Sequence, residues 1–154
     1  MAEVRDDSLS TDRRGKALEG VALQLARALG LRFVAWRRRA HETGGAEVDL
    51  IAAQANGRFA IWQIQCKVGS IRSRDVVDRE VGVAQPLKSN VILFVTAGTV
   101  GEAVRDAAET HMKATGLNII FLDGDDLDTV TAGRSPAQAV DREFARVAKV
   151  RTGD

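Results

Sequence analysis

Apolar residues recur at helical spacing near the start of the chain. Leu18, Val21, Leu25 and Leu29 form one stripe, and Gly30 follows as a stop. Thr11 or Asp12 can cap the free N–H groups, so the pattern predicts a helix from there to Gly30. A strand follows through Leu31, Phe33 and Ala35. Two further β-like runs, Glu47 to Gln54 and Arg58 to Val68, flank Asn56-Gly57, which predicts a hairpin. Val76, Val77, Glu80, Val81 and Ala84 return to helical spacing, and Pro86 is expected to end that helix. Val91 to Thr96 is continuously apolar, as a central strand covered on both faces should be. Thr99 and Glu102 have capping-box spacing and open a helix running to Gly116, and Asn118 to Leu122 is another buried strand. Ser135-Pro136 with Gln138 begins a terminal helix. The order α-β-β-β-α-β-α-β-α predicts an α/β fold with a mixed sheet of about five strands flanked by helices.

The strand from Arg58 to Val68 has two unlike faces. Gln63, Gln65 and Lys67 lie on one, and Trp62, Ile64, Cys66 and Val68 on the other. Such a polar face is either half solvated or lines a site. Asp49 weighs toward a site, because Asp is depleted from strand interiors and a carboxylate there needs a cation or donors. A plain two-residue turn would oppose Asp49 to Ile64, on the wrong face. A three-residue Ala55-Asn56-Gly57 loop with a bulge puts Asp49 opposite Gln63 and Glu47 opposite Gln65, and this is the expected register.

Length and composition narrow the class. The chain of 154 residues is the size of one domain, expected to run 1–154 with its core at about 12–128 and a terminal helix at about 135–150. At 45% hydrophobic and 28% charged residues, wholesale disorder is excluded. The single cysteine, Cys66, rules out an internal disulfide or a Cys-based zinc cluster and suits a reducing cytosol. Val91 to Val95 is too short to span a bilayer, and Met1 to Asp12 does not read as a secretory signal, so the expected location is cytoplasmic, with no membrane partner.

The net charge of +1 argues, at face value, against nucleic acid, but it is unevenly spread. From Arg13 to Arg74 there are 12 basic residues and four acids, a net +8. The remainder holds 10 basic and 17 acidic residues, a net −7. A basic half can attract phosphate even in a nearly neutral molecule, although Arg37 to Arg39 taken alone read rather as a solvated strand end.

Other features read as structural. Cys66 faces the apolar side, as an inert buried thiol would. His41 and His111 sit in no nucleophile motif. Asp123, Asp125, Asp126 and Asp128 fail the calcium-loop pattern, with Leu127 at a ligand position and Arg134 in place of the bidentate Glu, and are expected to form an exposed acidic turn. Trp36 and Trp62 are expected in the core, although either could stack on bases.

Gly44-Gly45-Ala46-Glu47-Val48-Asp49-Leu50-Ile51-Ala52, followed by Gln63-Ile64-Gln65-Cys66-Lys67, resembles the PD-(D/E)XK nucleases. Among them the chain is most similar to the Mrr-like type IV restriction endonuclease domain, whose motif ends in Gln-x-Lys. The likeness covers about Gly15 to Leu127 and includes Gly15-Lys16-Ala17-Leu18-Glu19, Val91–Thr96 and Asp123-Gly124. Mrr-like domains usually carry Asp-Gly-Gly upstream of the motif Asp. Here Thr43 precedes Gly44-Gly45, and Glu47 is the upstream acid.

The resemblance implies a restriction-endonuclease-like three-layer fold and a Mg²⁺-dependent DNA endonuclease, with Mn²⁺ able to substitute, restricting foreign or modified DNA. It implies that Asp49 is the main metal ligand, that Gln65 stands where most relatives have a carboxylate, and that Lys67 sits beside the attacking water. Glu19 matches the family's additional acid. The expected metal set is Asp49, Gln65, Glu19 and the backbone carbonyl of Cys66, all oxygen donors as Mg²⁺ requires. Lys16, Arg37, Arg38, Arg39, Arg72 and Arg74 are the expected contacts to double-stranded DNA. Cutting both strands needs two sites, so a homodimer is expected, together with a recognition domain or subunit outside this chain. Two alternatives stand beside this reading: a DNA-repair or Holliday-junction-resolving nuclease, and a non-catalytic DNA-binding or interaction module with the same fold.

Overall fold

The computed structural model describes residues 1–39, 47–54 and 60–153, with side chains except at 37–39 and 47–48. Five strands form one sheet in the order β1 (Leu31–Arg39), β2 (Glu47–Gln54), β3 (Ile61–Lys67), β4 (Val91–Thr96) and β5 (Asn118–Leu122). β1, β2 and β3 pair antiparallel, whereas β3, β4 and β5 pair parallel, as the hairpin-then-alternation pattern predicts. The helices are α1 (Ala2–Arg5), α2 (Thr11–Ala28), α3 (Asp75–Leu87), α4 (Glu102–Ala114), α5 (Gly124–Thr131) and α6 (Pro136–Thr152).

The helices cover both faces of the sheet. Leu18, Ala22, Leu25 and Ala26 of α2 join the main core with Leu50, Ile64, Leu93 and Ile120. α6 packs against β5 and α2, and its Phe144 meets the Trp62 ring edge-on. The opposite face receives α3, whose Val83 packs on Ile51 and whose Glu80 bonds to Gln63. β4 is buried at every position, so its apolar run reflects helices on both sides.

Several local expectations are corrected. α2 is capped by the Ser10 hydroxyl, which accepts from the Arg13 N–H at 3.3 Å, rather than by Thr11 or Asp12. Gly30 does stop it, at φ 73°. Pro86 lies inside the last turn of α3, which closes at Lys88 in the left-handed region. Thr99 caps nothing: residue 100 is drawn into a parallel bridge with Ile71, the Thr99 hydroxyl bonds to Ser70, and Gly101 precedes α4. The acidic turn is instead α5. Asp123 caps it and accepts from Asp125 and Asp126, while Asp126 accepts from the Asp123 N–H in a capping box. Asp126 is buried and pairs with Arg142.

The hairpin register is also corrected. The Ala55-Asn56-Gly57 turn lies outside the described residues, but the flanking pairs fix the offset. Leu50 faces Ile64, Ile51 faces Gln63, and the Gln54 N–H donates to the Ala60 carbonyl at 3.2 Å. Continued along the strands, this sets Asp49 level with Gln65 rather than Gln63, and Glu47 level with Lys67 rather than Gln65. The shift from the expected register is two residues. Side chains alternate with a period of two, so the face is kept and only the partner changes.

Candidate active site

The site grows from the β2–β3 hairpin. Asp49 turns its carboxylate toward β3, where Oδ2 accepts from Gln65 Nε2 and from the Cys66 main-chain N–H, both at 2.7 Å. Two donors on one oxygen fix the rotamer and make that oxygen a double acceptor. Gln65 is buried, and among the described residues its Oε1 has no hydrogen-bond partner. An orphaned buried carbonyl oxygen costs about 1–3 kcal/mol. Trp62 Nε1 and Arg146 Nη1 are likewise without a hydrogen-bond partner among the described residues, but only Gln65 Oε1 stands beside a fixed carboxylate. That cost is explained if the Gln65 oxygen has a ligand of its own to meet.

Glu19 and Lys67 border this pair. Glu19 comes from α2 and is half-buried. Burial pushes the Cys66 thiol well up from its ordinary value, and the negative charges of Asp49 and then Glu19 push it further, against the smaller opposing pull of Lys67. The thiol is therefore a spectator, with Asp49 and Glu19 both within electrostatic reach of it. Lys67 is half-buried at the end of β3, and none of the ion pairs among the described residues engages it. It lines an open cleft of about 620 Å³ with Thr11, Gly15, Arg72, Ser73 and Val76.

The loop after Lys67 is clamped to the β4–α4 connection. Thr96 Oγ1 donates to the Gly69 carbonyl, the Ile71 N–H donates to the Thr99 carbonyl, and the Gly101 N–H donates to the Ile71 carbonyl. Gly98 is required by close approach: a Cβ there would sit 2.5 Å from the Ser70 nitrogen.

Behind the cleft lies a buried polar group that the sequence did not reveal as such. Gln63, fully buried, donates from Nε2 to Glu80 Oε2 at 2.7 Å and to the Glu80 carbonyl at 3.2 Å, and its Oε1 lies 3.4 Å from the Ser89 hydroxyl. Glu80 is only 1% exposed, and burial raises its carboxyl above the ordinary range despite Gln63, Arg79 and Lys67, which all lower it. One signal was available: Glu80 sits on the apolar stripe of its helix, where a lone acid needs a partner.

The expected DNA contacts divide. Arg72 is exposed at the cleft. Lys16 and Arg74 are exposed but pair along their own helices, Lys16 with Asp12 at 2.7 Å and Arg74 with Asp78 at 3.5 Å. Arg37, Arg38 and Arg39 lie on β1, with Arg38 facing Val48 and Arg39 facing Glu47 in the backbone register. Their side chains and that of Glu47 lie outside the described residues, as does His41. Among the described residues no three His, Cys, Asp or Glu side chains gather as a cation site. The tryptophans part company: Trp62 is in the core, whereas Trp36 is 42% exposed, contrary to expectation. No helix is long and apolar enough to cross a membrane.

Comparison with known proteins adds the following. A family profile described as Restriction endonuclease (Mrr_cat) matches residues 12–131. No curated protein matches the sequence. Two solved structures share the fold, each at a TM-score of 0.50. One is the protein of unknown function AF1548, at 13% identity over 88% of this chain and 97% of that one. The other is the DNA modification-dependent restriction endonuclease AspBHI, at 14% identity over 90% of this chain and 36% of the larger enzyme.

Proposed function

The chain belongs to the Mrr_cat restriction endonuclease family, and from that premise we propose that it hydrolyses phosphodiester bonds of double-stranded DNA at the Asp49–Gln65–Lys67 site with a divalent cation, Mg²⁺ or Mn²⁺. One observation carries this reading: Asp49 is held by two 2.7 Å donors while the neighbouring Gln65 Oε1 is buried without a partner among the described residues. A carboxylate and an amide oxygen are hard donors of the kind Mg²⁺ takes, so the residues fit the metal. Asp49 and Gln65 would hold it, with the Cys66 backbone carbonyl and Glu19 in support. When bound, the cation polarises a phosphoryl oxygen and eases deprotonation of a water.

The chain's own groups supply the rest. Lys67 presents an ammonium to the cleft, where it stabilises the negative charge that builds on the phosphorus oxygens and orients the incoming hydroxide. The clamped loop behind it keeps that ammonium in place as DNA arrives. Arg72 meets the flanking phosphates. With Gln at position 65 the donor set carries one negative charge fewer than a two-acid site, so metal affinity should be low until a DNA phosphate adds its own oxygen.

A second reading has one observation in its favour: the described residues contain no three-acid group, as a DNA-binding module that had lost metal affinity would also show. Plasmid, methylated and four-way-junction DNA incubated with Mg²⁺, Mn²⁺ or EDTA separate the readings. Metal-dependent nicking or linearisation is expected, and Lys67→Ala should slow it by roughly 100-fold or more while leaving most binding intact. Cutting confined to the junction would indicate a resolving nuclease. Binding without cutting of any substrate in either metal would leave the non-catalytic module standing.

A further inference from the structure

We propose that the edge strand β1 carries a stacking platform, Phe33 and Trp36, which receives an unstacked nucleobase of the bound DNA. The proposal rests on the nuclease reading above and adds a substrate class: DNA with an unpaired or extruded nucleotide.

The platform is built by a backbone irregularity. Phe33 faces Ala52 and Ala35 faces Ile51, so Val34 is an extra residue in the strand. Without it Phe33 and Trp36, three positions apart, would point to opposite faces of the sheet. The bulge turns both to the same face, with ring centroids 5.3 Å apart and planes tilted at 51°. Phe33 is 37% exposed, Val34 51% and Trp36 42%, and these are the exposed large hydrophobic residues among those described. A strand that spends a bulge to bring two aromatic rings together at the surface leaves them short of a partner.

Position and charge select the occupant. Trp36 pairs with Leu50, the neighbour of Asp49. Strand spacing and rise put its Cα roughly 6 Å from that of Asp49. The two rings are on the Leu50 face of the sheet and Asp49 is on the other, so DNA that meets both wraps the edge strand β1. The rings lie on the sheet face over which α2 packs, the helix that carries Glu19. β1 holds Arg32, Arg37, Arg38 and Arg39 and no acid. A second copy joining edge to edge would set these four arginines against four more, which like-charge repulsion opposes. A polyanion with flat apolar faces fits both features, as aromatic rings interleaved with basic residues do in single-strand binding sites.

The test uses the full chain in EDTA, where nothing is cut. Three oligonucleotides are compared: a single strand, a perfect duplex, and that duplex with a one-nucleotide bulge. Trp62→Phe leaves Trp36 as the sole tryptophan. In the wild type, acrylamide quenching separates exposed Trp36 from buried Trp62, so the measurement does not depend on the variant folding. The single strand and the bulged duplex should quench Trp36, and Trp36→Ala should weaken both by at least about fivefold while leaving the perfect duplex within about twofold. Binding seen by anisotropy with Trp36 emission unchanged, or an equal loss on all three DNAs, overturns the platform and leaves the nuclease reading intact. Sedimentation showing a dimer that Trp36→Ala dissociates also overturns it, by making the patch an interface between copies. No binding to any of the three overturns the platform and the nuclease reading together.

Discussion

Gln65→Glu tests the geometry of the site without relying on cleavage. The substitution is nearly isosteric, but it replaces a donor 2.7 Å from Asp49 Oδ2 with an oxygen. A hydrogen bond to a charged group, worth about 1.5–3 kcal/mol, is lost. Two carboxylates about 4 Å apart at an effective dielectric constant of about 20 repel by about 4 kcal/mol. Rotation of the new side chain, or retention of a proton by the pair, relieves much of this, so a net destabilisation of about 3 kcal/mol is expected. For a chain of this length that lowers Tm by about 6–12 °C. The assay is thermal unfolding without DNA, in EDTA and in Mg²⁺ or Mn²⁺. In EDTA the variant should melt well below wild type at neutral pH. The gap should narrow as pH falls toward the free-carboxyl value of about 4.3, because repulsion makes the folded pair hold a proton more tightly than the unfolded chain does. Divalent metal should restore most of the loss in the variant and shift wild type far less, because the variant completes a two-acid donor set. Equal melting in EDTA would mean that positions 49 and 65 do not meet as described. A deficit that neither metal relieves would refute the assignment of Gln65 to a cation site.

Gly98→Ala should lower Tm by about 4–10 °C and slow cleavage, because its Cβ would press on Ser70 main-chain atoms at 2.5 and 2.8 Å. Gly82→Ala, in open space on α3, should raise Tm slightly and is the control. Glu80→Ala should cost about 2 kcal/mol in urea unfolding, since Gln63 Nε2 would keep only the main-chain carbonyl. Glu80→Gln should act oppositely at neutral pH. Burial raises the folded carboxyl above its ordinary value of 4.5, so the folded state binds the proton more tightly and wild-type stability falls as pH rises through that range. The amide imitates the protonated form, so the variant should gain on wild type above about pH 4.5 and match it below. A gap that opened with falling pH instead would reverse the sign assigned to Glu80.

Where the sequence was legible and where it was not follows from the range of the interactions involved. Strands β2, β4 and β5 and helices α2 and α6 were readable because their signals are local: periodicity, a Ser-Pro start, a glycine stop. The placement of Asp49 on the face of Gln65 was readable because alternation preserves faces. Its partner along the strand was not, because Asn56-Gly57 implied a shorter loop than the flanking pairs allow. Thr99 misled for a related reason. Its spacing to Glu102 is correct for a cap, but the bridge from Ile71 to Val100 reaches across 29 positions and no local pattern contains it. Glu80 with Gln63 and Asp126 with Arg142 are likewise satisfied only in three dimensions. Asp126 reads as an exposed acid and Glu80 as a lone acid on an apolar stripe, and both are buried because a partner arrives from another element. Trp36 is the converse case. One inserted residue, Val34, reversed its face, and only the partner strand reveals the insertion.

The charge distribution carries a final consequence for DNA. The net +8 between Arg13 and Arg74 overstates the attraction at the start of α2, where Arg13, Arg14 and Lys16 face Glu3, Asp7 and Asp12 at 3.7, 2.7 and 2.7 Å. Those acids lie just outside the counted stretch, so the sum hides their effect. Arg74 is similarly tied to Asp78. On the far side, Asp126 and Glu143 are paired by Arg142 and Arg146, and Asp128 by Arg5, so much of the acidic remainder is balanced within the fold. The described arginines without such partners include Arg32 on β1 and Arg72 at the cleft. Fields from charges beyond about 10 Å are screened at moderate salt, so DNA at the site responds to this local set rather than to the total of +1. Affinity should therefore fall with salt at a slope set by the arginines of β1 and the cleft. Arg72→Ala should reduce that slope by about one, whereas Lys16→Ala should barely change it. The reverse result would move the phosphate track to α2 and away from the edge strand.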